Sequence, residues 1–65
     1  MTTDLDVYRT ANLLVTQHGA EAPIHAAMRA DGLMTAGDME GRGVWLRVIE
    51  AIKVMLAKEP DGTVH

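Results

Sequence analysis

Between Gly37 and Pro60 the sequence holds its longest apolar stripe, Trp45, Val48, Ile49, Ile52, Met55 and Leu56. Intervals of three and four residues put these side chains on one side of a helix. Gly37 supplies a stop and Asp38 an N-cap. Pro60 supplies the end, because the residue before a proline avoids helical geometry. The pattern predicts a helix over 39–58, about 30 Å long at 1.5 Å per residue. Val44 and Ala51 lie beside the stripe, while Leu46 and Val54 fall away from its centre. A stripe of that length must be covered, so the residues before Gly37 have to be organised around it, with Trp45 as the expected core anchor.

Those residues divide at a second glycine. Thr3 is a candidate N-cap with Asp6 three residues on, the spacing of a capping box. Asp4 and Asp6 suit the positive end of a helix dipole. A helix is predicted over 4–18, with Val7, Tyr8, Ala11, Leu14 and Val15 as its apolar face and Leu13 widening it. Gly19 offers the left-handed residue that ends such a helix. A further helix is predicted over 21–36, with Pro23 in its first turn, where the missing N–H costs nothing. Ile24, Ala27, Met28 and Asp31 share one face of it, and Ala20, Ala26, Ala30, Leu33 and Gly37 an adjoining one. Gly32 lies inside and costs roughly 1 kcal/mol relative to Ala; a continuous helix is preferred over a break there. Short connections make sequence neighbours antiparallel. The expectation is all-α, a small three-helix bundle with antiparallel neighbours over 1–58, followed by a tail at 59–65.

Composition agrees with the class. The 65 residues include nine Ala and five Met, one Trp, one Tyr and no Phe, a helical rather than a strand vocabulary. There is no cysteine, so neither a disulfide framework nor a thiolate metal site can staple the fold. A chain this short buries only about 60% of its unfolded surface, so stability must come from helix packing, from oligomerisation, or from both. The net charge of -3 argues against nucleic acid, whose binders carry a basic stripe. No apolar run approaches the roughly 18 residues that span a bilayer, and the N-terminus is acidic where a signal peptide is basic. The expected setting is soluble and cytoplasmic.

Few residues suggest chemistry. His18 and His25 are seven apart across a turn, which matches no common zinc pattern. Imidazole in a last turn is better read as interacting with the helix end. Asp31 is unexpected beside Ile24 and Met28; an ion pair with Arg29, Arg42 or Arg47, or a cap, is favoured over a catalytic acid. Gly41-Arg42-Gly43 lies where helix N–H groups can bind an anion, but no strand precedes it as a nucleotide fingerprint requires. Gly41 is read instead as clearance for a neighbouring helix or for Trp45. Met28 and Met55 are read as core filling. No catalytic, cofactor-binding or metal site is expected.

The residues His18-Gly19, Ala26-Ala27-Met28-Arg29-Ala30-Asp31, Gly37-Asp38, Gly41, Val44-Trp45 and Arg47 together resemble a family of short bacterial proteins of unknown function. The resemblance covers Tyr8 to Ile52; Gly32 and Gly43 depart from it. It implies a small bacterial cytoplasmic protein in an accessory or regulatory role, and names no substrate, cofactor or partner.

Three helices cannot bury every apolar position. Leu13, Leu33, Met34, Met39, Leu46 and Val54 are left over and form the expected interface. Tyr8, Trp45, Asp38, Gly19, Gly37 and Gly41 are the expected structural residues. The resulting expectation is a non-enzymatic interaction module, a homodimer or the binder of another protein. The alternative is a helix-turn-helix regulator reading nucleic acid with Arg42, Arg47 and Lys53.

Overall fold

The computed structural model describes residues 3–58, of which 93% are helical. Among them there is no strand. Helix α1 spans Asp4–His18, α2 spans Ala22–Thr35 and α3 spans Met39–Lys58. The all-α expectation holds. The segments 1–2 and 59–65, and with them the expected stop at Pro60 and the tail, lie outside the described residues.

The three-helix bundle needs correction. A 3₁₀ turn, Gly19–Glu21, joins α1 directly to α2, so no non-helical residue occurs from 4 to 35. The chain therefore forms two helical runs, one bent at Gly19 and the other α3, rather than three helices separated by loops. The reason is local. Gly19 takes φ 58 and ψ -128, which turns the axis, while its N–H still donates to the Val15 carbonyl. Pro23 then stands in the first turn of α2 and needs no N–H partner.

The remaining boundaries follow from capping. Thr3 and Asp6 form the expected capping box, with the Asp6 N–H donating to Thr3 Oγ1 and the Thr3 N–H to Asp6 Oδ2. At the far end of α2, Gly37 has φ 84. Its N–H donates to the Met34 carbonyl and that of Asp38 to the Leu33 carbonyl, the two bonds of a Schellman motif. Asp38 then caps α3 by accepting from the Gly41 N–H at 2.8 Å. Helix α2 passes through Gly32 without a break.

The core is small. Val7 and Ala11 from α1, Ala22 and Ala26 from α2, and Val48, Ala51 and Ile52 from α3 form one buried cluster. Ile52 and Val48 are its largest fully buried side chains. Leu14, Val15, Trp45, Ile49, Met55 and Leu56 pack against it from partly exposed positions. The α3 stripe is thus used as expected, but its centre is Val48 and Ile52. Trp45 sits at the edge and does not anchor the core. Alanines at four-residue spacing, Ala22, Ala26 and Ala30, let α3 lie close along α2.

Two side chains expected in the core lie outside it, Tyr8 and Met28. Tyr8 is 51% exposed. The line of contact runs through Val7 and Ala11, and Tyr8 stands about 100° round from Val7. Met28 is 63% exposed rather than core. It lies with Ile24 and Asp31 about half a turn from the buried alanines, and that face meets solvent. A carboxylate among those residues therefore needs no buried partner. Met55 does pack against the core. Gly41 gives clearance, but to neither a helix nor Trp45: a Cβ there would come within 2.6 Å of Asp38 Oδ2.

Candidate interaction surface

Nine large apolar side chains among the described residues stay 40 to 63% exposed: Leu5, Tyr8, Leu13, Ile24, Met28, Met34, Met39, Leu46 and Val54. Five of the six expected interface positions, Leu13, Met34, Met39, Leu46 and Val54, are in that set; Leu33 is half-buried. The cause is the size of the core. Eight residues are buried among those described and five are alanines, whose short side chains leave nothing to cover the flanks of the helices.

These side chains group by element. Leu46 and Val54 on the outer flank of α3 face Tyr8 of α1 across a groove floored by Val7 and Ala51. Leu5, three residues before Tyr8, stands about 160° round from Val7 and does not line this groove. Asp4, Arg47 and Glu50 line the groove as well. Arg47 Nη2 donates to Asp4 Oδ1, and Lys53 Nζ lies 3.7 Å from Glu50 Oε2. Of the three charged residues that line the groove, Asp4 and Arg47 pair with each other, while Lys53, the cation beside Glu50, lies outside the lining. The expected pairing of Arg47 with Asp31 is not made; Arg47 reaches the start of α1 instead.

A second groove opens where α1, α2 and α3 meet. It is lined by Leu13, Leu14, His18, His25, Arg29 and Trp45, among others. The bend at Gly19 brings His18 and His25 together, with ring centroids 3.6 Å apart and planes 14° from parallel. Arg29 lies over Trp45, its guanidinium carbon 5.6 Å from the ring centroid, a cation–π contact that ties α2 to α3. Sequence spacing missed both contacts because each joins residues across a bend or between helices. Stacked rings send their in-plane nitrogen lone pairs out side by side, so the two imidazoles do not converge on a common ion. No group of three His, Cys, Asp or Glu side chains among the described residues is placed to hold a metal.

The remaining candidates occupy ordinary positions. Asp31 and Arg42 are not brought together with His18 and His25 in one groove. No polar or charged side chain is buried among the described residues. No helix there is long and apolar enough to cross a membrane. Comparison of the chain with protein-family models, with curated proteins and with solved structures finds no match.

Proposed function

We propose that this protein is a small non-enzymatic helical module that acts by self-association, as an accessory or regulatory component of bacterial cytoplasm. The observation that supports the reading is the ratio of surface to core. Nine large apolar side chains remain outside a cluster whose biggest members are one Ile and two Val. A soluble domain rarely leaves so much of its apolar inventory in water unless another surface covers it. Oligomerisation is also a common way for a chain of this size to gain stability. The helix-turn-helix alternative is weakened by ion pairing. Of the three α3 cations it needs, Arg47 is engaged by Asp4 and Lys53 lies beside Glu50.

Sedimentation equilibrium between about 5 and about 500 µM tests the reading, since an interface of modest area dissociates in that range. The expected mass approaches twice the 7.0 kDa of the chain. A 7.0 kDa particle at every concentration overturns it.

A further inference from the structure

We infer that the groove beside Trp45, where α1, α2 and α3 meet, binds a small amphiphilic monocarboxylate, one anionic head on a short alkyl body. The inference does not depend on self-association. Helical spacing builds the site. Leu14 and His18 stand four residues apart on α1, and His25 and Arg29 four apart on α2, so each pair shares a face. The bend at Gly19 brings His18 against His25. Trp45 of α3 lines the third side, and Leu13 adds to the apolar wall.

Charge decides what the groove takes. Arg29 lies over the Trp45 ring, an arrangement that uses the face of the guanidinium, whereas its N–H donors lie in its plane. The ion pairs among the described residues are Arg47 with Asp4 and Lys53 with Glu50, so Arg29 has no carboxylate partner there. Each imidazole of the stacked pair also keeps at least one ring N–H, directed in its own plane and so out of the stack. Three donor groups therefore line one groove, and no carboxylate among the described residues lines it with them. The α1/α3 groove is the contrast. Its volume is similar, about 430 Å³ against about 540 Å³, but Asp4 and Glu50 line it and would repel an anionic head. Both volumes suit small molecules, and charge separates the two sites. The ligand follows from the lining. One carboxylate can accept two parallel N–H bonds from one guanidinium. Leu13, Leu14 and the Trp45 ring offer hydrocarbon surface beside it, so an alkyl body adds what the head alone lacks. A polyanion is disfavoured, because the net charge of -3 repels whatever extends beyond the groove.

The test uses the full chain with octanoate as the probe. Octanol lacks its charge and acetate lacks its alkyl body. The one tryptophan of the chain lies in the groove, so its fluorescence reads occupancy, and titration calorimetry provides a second readout. Octanoate should give a saturable change, with octanol and acetate each binding at least about tenfold more weakly. Arg29→Gln should weaken octanoate binding at least about tenfold. Arg47→Gln, which removes the arginine already paired with Asp4, should change it less than about twofold. No saturable signal by either method up to about 10 mM octanoate overturns the inference. Octanol bound as tightly as octanoate overturns the anionic head, and acetate bound as tightly overturns the apolar body. Equal effects of Arg29→Gln and Arg47→Gln overturn the choice of groove. Circular dichroism checks that each variant keeps its helix. Should Arg29→Gln lose it, the comparison of octanoate with octanol on the unsubstituted chain decides.

Discussion

Replacing Ile52 by Ala removes the largest side chain that the fold buries completely, and the structure sets the expected cost. Ile52 has no exposed surface. Its cluster includes Ala11, Ala22, Ala26 and Ala51, which have no side-chain rotamers with which to fill a void. Large-to-small core substitutions cost about 2 to 5 kcal/mol, with the upper half of the range where the site cannot collapse. At about 0.05 to 0.15 kcal/mol per residue, a chain of this length holds roughly 3 to 10 kcal/mol in all. Ile52→Ala should therefore remove a third or more of that stability, and all of it where the total lies at the low end of the range. Trp45→Ala provides the comparison. The ring lies at the core edge, and water can enter part of the space it leaves, so a cost of about 2 kcal/mol is expected from the area lost. Urea unfolding followed by circular dichroism at one protein concentration measures both, since mass action would otherwise shift the midpoint. Ile52→Val is the intermediate step, at about 1 kcal/mol. With a urea dependence of about 1 kcal/mol per molar, it moves the midpoint by about 1 M. A Trp45→Ala chain less stable than Ile52→Ala would refute the placement of the core.

Other substitutions probe the helix ends and the surface. Asp38→Ala removes the oxygen that accepts from the Gly41 N–H; it should cost about 1 kcal/mol, seen as a fall of about 4 to 8 °C in thermal midpoint, whereas Asp38→Asn should retain most of the cap. Gly43→Ala has open space around it and should stabilise α3 by up to about 1 kcal/mol. Gly41→Ala should gain less or lose, because its Cβ meets the cap carboxylate; equal thermal midpoints for these two would sink that account. Gly37→Ala should destabilise, since φ 84 strains any residue with a Cβ. Arg47→Ala should cost no more than about 1 kcal/mol, an effect that vanishes in high salt, because its pair with Asp4 is exposed; a larger, salt-independent loss would mean that the arginine has a packing role.

The helices and their ends were legible in the residues because capping and periodicity are local. Thr3 with Asp6, Gly37 with Asp38, and the spacing of Val48, Ile49, Ile52, Met55 and Leu56 each act within a turn or two, and the structure uses them all. Leftover apolar positions such as Leu46 and Val54 were legible for the same reason, lying off a visible stripe. Tertiary structure decided the rest. It chose which of two neighbouring arcs meets α3, and so placed Val7 inside and Tyr8 outside, and Ala22 and Ala26 inside and Met28 outside. Helical spacing admits either arc, and the choice depends on which surface lets backbones approach most closely. It also turned the Gly19 connection into a bend within one helical run and moved Trp45 to the rim. The ion pair between α1 and α3 exists only because Asp4 and Arg47, far apart in the chain, are brought together when α3 packs on α1.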